Sequence, residues 1–76
     1  MAADAASDLQ LTAILSPYVD GGFTAVNLET GTTSQGETTQ EAIANLAETT
    51  SLYLEEFPLT SIPEVFVTTF SVSRPT

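Results

Sequence analysis

No cysteine, histidine or lysine occurs in the sequence, and Arg74 is the single basic residue. Each absence closes a class of chemistry. Without Cys no disulfide can form, and without Cys and His no thiolate–imidazole set can hold zinc. Thiolate or amine nucleophiles and imidazole acid–base catalysis lose their usual residues as well. A surface without clustered Lys and Arg is not built to hold nucleic-acid phosphates or an anionic membrane. No apolar run approaches the roughly 20 residues that cross a bilayer. Residues 1–8 have neither the basic nor the apolar region of a secretory signal and read as a frayed tail. The expectation is a cytoplasmic protein that is not an enzyme and needs no cofactor and no metal.

What remains is small and acidic. The chain has 76 residues, ten of them Asp or Glu, for a formal net charge of −9. A single domain over residues 9–76 is the natural organisation at this length. Such a chain buries a modest fraction of its surface and usually needs extra support. Disulfides and His/Cys metal sites being excluded, a dimer or tetramer is expected. Small soluble domains carry net charges of magnitude about 2–8, so this chain repels itself more than most. The acidity has two readings at this level: solubility, including in a salty cytoplasm, or steering toward a basic protein partner.

Hydrophobic spacing predicts the elements. Leu9 to Leu15 alternates and then turns apolar, as a strand does. Asp20-Gly21-Gly22 follows, with the positive-φ tolerance of a hairpin turn. Phe23 to Leu28 is the second strand, Glu29-Thr30-Gly31 a turn, and Thr32 to Gln35 a short third strand ended by Gly36. Thr38 with Glu41 forms a capping box. Ala42, Ile43, Leu46, Ala47, Tyr53, Leu54 and Phe57 then recur at helical spacing, and Pro58 stops the helix. Thr50 stands where that apolar stripe would continue. Glu64 to Val72 has the strongest strand propensity in the chain. Phe66, Thr68, Phe70 and Val72 share one of its faces.

The fold class is therefore α+β: a two-layer βββαβ sandwich, one helix packed on a small four-stranded sheet. A right-handed crossover sets the fourth strand parallel to the first. The sheet face away from the helix is left bare, a second reason to expect assembly.

The ordered set Asp20-Gly21-Gly22-Phe23-Thr24-Ala25, Gly31, Ser34-Gln35-Gly36-Glu37-Thr38, Glu41-Ala42-Ile43-Ala44-Asn45-Leu46 and Tyr53-Leu54-Glu55-Glu56 resembles the HicB-like antitoxin family. That family shows a Gly-Tyr/Phe strand, a Gly-containing turn, a Gly-acid-Thr step and a helix reading Glu-Ala-hydrophobic-x-Asn. The resemblance covers about half the chain. It implies a reduced ribonuclease-H-like βββαβ fold and a role in sequestering a small basic toxin, a messenger-RNA interferase, by occlusion. Many family members also bind operator DNA through a C-terminal segment, which the residues up to Thr76 do not supply. The Pro and Cys common between the family's second and third strands are replaced here by Asn27-Leu28-Glu29-Thr30-Gly31-Thr32-Thr33. An orphan homo-oligomer of the same fold, with a structural or other binding role, is the alternative.

Candidate partner-binding residues are Glu48, Glu55, Glu56, Phe66 and Phe70. Glu55 and Glu56 oppose the helix dipole, which leaves two readings, a basic partner or a solvated helix end. A nuclease reading fails at the first strand, where Leu9 to Leu15 contains no carboxylate to share a divalent cation.

Overall fold

The computed structural model describes residues 9–75; the expected tail at 1–8 lies outside them. Three strands, β1 (Ala13–Pro17), β2 (Phe23–Asn27) and β3 (Thr33–Gly36), precede one helix, α1 (Thr39–Glu56). The strands form an antiparallel sheet in the order β1-β2-β3. The protein is an α+β fold with the helix on one sheet face.

The turns form where the glycines were read. In the β1–β2 hairpin Gly21 N–H donates to the Tyr18 carbonyl, and Tyr18 N–H donates to the Gly22 carbonyl, both at 2.9 Å. Gly22 has φ +78, and a Cβ there would sit 2.6 Å from the Gly36 carbonyl oxygen. In the β2–β3 connection Gly31 N–H and the Asn27 carbonyl meet at 2.8 Å.

The helix starts on its capping residue. Thr38 is extended, and its hydroxyl accepts from Glu41 N–H at 3.0 Å. The Glu41 carboxylate accepts from the backbone N–H of Glu37, one residue before the expected N-cap amide. Gly36 lets β3 run against this first turn, since a Cβ there would collide with the Ala42 backbone. At the other end Phe57 N–H bonds the Tyr53 carbonyl at 2.8 Å, and Pro58 prevents continuation.

The core is small. Ala25, Ala42 and Leu46 are buried, with Ala13 and Phe23 packed against them. Leu46 is the one large apolar side chain buried there, a contribution of about 1.5–3 kcal/mol. The helix stripe is only partly covered: Ala42, Leu46 and Thr50 are buried, whereas Ile43, Tyr53 and Phe57 are exposed. Tyr53 and Phe57 stack on one another, ring centroids 5.0 Å apart. The sheet face away from the helix carries Ser16, Thr24, Thr33 and Gln35 around the cross-strand pair Ile14–Val26, by the register of the strands. That face is less apolar than the bare face expected.

The sheet has three strands where four were expected. Glu64–Val72 is in no ladder. Strand propensity measures fit to a pleated, half-buried surface, and this segment has no such surface in the single chain. Pro58 and Pro63 explain part of the difference. Each fixes φ and keeps the preceding residue out of the helical region, so the chain leaves α1 without a tight turn back onto the sheet.

Candidate binding surface

A polar network fixes one end of the sheet. Thr12 donates its backbone N–H and its hydroxyl to the two carboxylate oxygens of Glu29, at 2.7 and 2.8 Å. The Asn27 amide donates to the Thr12 carbonyl at 2.9 Å and to Glu29 Oε1 at 2.8 Å. Its oxygen accepts from the Thr30 backbone N–H at 3.0 Å and from the Thr30 hydroxyl. Thr30 and Thr32 hydroxyls meet at 2.8 Å, and Thr32 and Thr50 hydroxyls at 2.7 Å. The network runs from the approach to β1, through the β2–β3 turn, to the middle of α1. Asn27 is 2 % exposed, and every hydrogen-bonding position of its side chain is used, as a buried amide requires. The bond from Thr12 N–H, ahead of the other contacts, holds the Glu29 carboxyl below its ordinary value; partial burial opposes it. Thr50 interrupts the apolar stripe because it anchors this network.

The outer face of α1 is acidic. Glu41, Glu48 and Glu55 recur every seven residues, which sets them in one line on the helix surface, and all three are exposed. Glu56 is exposed to one side of that line. The helix has no basic residue, so the line is uncompensated within its own element. Phe66 and Phe70 stand apart, 80 % and 86 % exposed on the segment after the helix. The five candidate partner-binding residues thus fall on two surfaces, a carboxylate line and an apolar segment. Asn45 bonds the Gln35 carbonyl at 2.8 Å and serves the contact between helix and β3.

A third feature escaped sequence reasoning. A groove of about 510 Å³ lies between α1 and the chain leading into β1, lined by Leu11, Ala13, Ile43, Ala47 and Leu54 among others. It exists because α1 packs on β3 and β2 and barely reaches β1. No residue spacing announces it, because it depends on where α1 comes to rest on the sheet. Among the described residues no group of three or more acidic side chains is placed to hold a metal ion, and no helix is long and apolar enough to cross a membrane.

These features define a small α+β domain with a polar lock at one sheet end and two open surfaces. Residues 2–61 match DUF7387, a family of unknown function, and the chain belongs to that family. The match takes in the sheet and the helix and stops before Glu64–Val72. No curated protein and no solved structure is significantly similar to the chain.

Proposed function

We propose that this chain is an acidic antitoxin-like binding domain of HicB-like fold, which sequesters a small basic toxin, a messenger-RNA interferase, by covering its active face. The observation that carries the reading is the exposed Glu41–Glu48–Glu55 line, on a helix without a basic residue, in a chain of net charge −9. Such a line matches a cationic RNA-binding surface in sign and steers the two together. The order of three strands and a capped helix supports the HicB-like part of the proposal. In that fold Glu64–Val72 supplies the fourth strand. The domain works in the cytoplasm by occlusion, without catalysis, and contacts neither nucleic acid nor membrane directly.

Calorimetric titration with the product of any adjacent short gene that encodes a basic protein tests this, and the lack of such a gene counts against the reading. One-to-one binding that weakens steeply with salt, and is lost in the Glu48→Lys/Glu55→Lys double variant, is expected. No binding at low salt, or binding indifferent to both salt and charge reversal, contradicts it. A second reading, an orphan homo-oligomer without a toxin, is favoured by the exposed Phe66 and Phe70; a self-associating chain that binds no basic neighbour would establish it.

A further inference from the structure

Three separate features are complementary. The first is the free edge of β1. Leu28 N–H donates to the Thr12 carbonyl at 3.0 Å and Tyr18 N–H to the Gly22 carbonyl at 2.9 Å. With the antiparallel alternation, residues of even number in β1 face β2, and Ala13 and Leu15 turn their N–H and C=O groups outward. Pro17 falls on the same outward parity, so its missing N–H breaks no bond in the sheet. The second feature is the overhang of the helix. Ile43, 39 % exposed, stands with Leu54 beside the groove at the start of β1. Neighbouring strands lie about 4.8 Å apart whereas a helix with its side chains is about 10 Å wide, and α1 lies mainly over β3 and β2, so it is the large side chains of a strand added at β1, rather than its backbone, that would reach the uncovered side of α1.

The third feature is the segment Glu64–Val72. Its residues alternate, Val65 and Val67 against Phe66, Phe70 and Val72. Phe66, Val67, Phe70 and Val72 are 62–86 % exposed, and the segment joins no sheet. It is also nearly neutral. Of the chain's ten acids only Glu64 lies beyond residue 56, and Arg74 lies close behind it. With Leu9–Val19, which carries no charge and contains β1, it is a stretch that can approach another copy of a −9 chain with little added repulsion.

We propose that two copies exchange these segments, each laying its Glu64–Val72 along the β1 edge of the other as a parallel fourth strand, with its phenylalanines turned toward Ile43 and Leu54. The segment's own body is the poorer acceptor. The connector Phe57–Pro63 carries Pro58 and Pro63, and Phe57, at φ −130, ψ 75, has left the helical region, so the chain does not turn tightly back onto its own sheet. The radius of gyration, 15.2 Å, exceeds the roughly 11 Å of a compact chain of this length. Nine residues reach about 30 Å, ample to span a β1 edge. Burial is adequate too: at about 150–250 Å² per Phe, Phe66 and Phe70 alone supply a large part of the ~800 Å² per partner in a standard interface. Exchange of an identical element between protomers is a low-cost route to a dimer. The inference deepens the four-stranded reading above and is independent of the toxin partner, so its failure leaves the titration result untouched.

Light scattering of the full chain in high salt, with hydrogen exchange of residues 64–72, tests it. A mass of about 16 kDa, twice the 8.0 kDa of one chain, with slowed exchange across the segment, is expected. Val67→Pro removes an N–H and fixes φ in the middle of the segment, and Phe66→Ser/Phe70→Ser removes the apolar anchors. Each should weaken the dimer by about 30-fold or more while circular dichroism reports an unchanged helix. An 8.0 kDa species whose segment exchanges freely overturns the proposal. So does an 8.0 kDa species with a protected segment, which would place the strand on its own sheet. A dimer that survives both variants overturns it as well, since its interface would lie elsewhere.

Discussion

The Asn27 side-chain amide and the Glu29 carboxylate, two residues apart, meet at 2.8 Å across the start of the β2–β3 turn. This contact joins the strand, the turn and the approach to β1 in one polar lock, in a molecule with few large buried apolar side chains. Asn27→Ala would leave the Thr30 backbone N–H without its partner and the Thr12 carbonyl with the Leu28 N–H alone. A loss of about 1–3 kcal/mol in unfolding free energy is expected, measured by urea denaturation. Asn27→Asp keeps the shape but sets a second carboxylate against Glu29, and should be worse at pH 7 than in acid.

Glu29 gives the lock a pH dependence. Its carboxyl is held below the ordinary value of 4.5, first by the Thr12 backbone bond. A carboxyl whose folded value lies below its unfolded value stabilises the fold above the unfolded value, and the benefit fades as pH falls through the folded value. The advantage of the native chain over Glu29→Gln should be complete at neutral pH and shrink below about pH 4.5. Denaturation midpoints of the two proteins across pH provide the check; a gap that stays constant into strong acid contradicts the assignment.

Two positions control the seam between β3 and α1. Gly36→Ala forces a Cβ into the Ala42 backbone, and overpacking of this kind costs about 1–3 kcal/mol. Thr38→Ala removes the N-cap acceptor for Glu41 N–H and should cost about 1 kcal/mol. Thermal melts of the two variants should show Gly36→Ala as the more damaging.

Net charge predicts a salt response. With −9 on the chain, raising ionic strength from 0.01 M to 1 M shortens the screening length from about 30 Å to about 3 Å. The melting temperature should rise with added salt, and the Glu48→Lys variant should show a smaller rise. A melting temperature that falls with salt would mean that favourable ion pairs dominate.

The local parts of this fold were legible in sequence. Gly21, Gly22 and Gly31 marked the turns, Thr38 and Glu41 the helix start, and Pro58 its end, because each acts within a few residues of itself. The polar lock was not legible. Thr12 and Glu29 lie 17 residues apart and Thr32 and Thr50 lie 18 apart, and nothing in their types announces the pairing. Glu64–Val72 shows the same limit from the other side. Its residues suit a strand, but composition does not say which edge a strand joins or whose. Glu48, Glu55 and Glu56 stood out as acids of the helix, whereas the groove at the start of β1 followed only from where α1 comes to rest.

The most direct test of the proposed role is whether a small basic protein encoded beside this chain cleaves messenger RNA, assayed with increasing amounts of this chain. The account predicts that cleavage stops near one-to-one stoichiometry and returns when Glu48→Lys/Glu55→Lys replaces the native chain. Cleavage that continues at full strength in excess of the native chain contradicts the antitoxin reading.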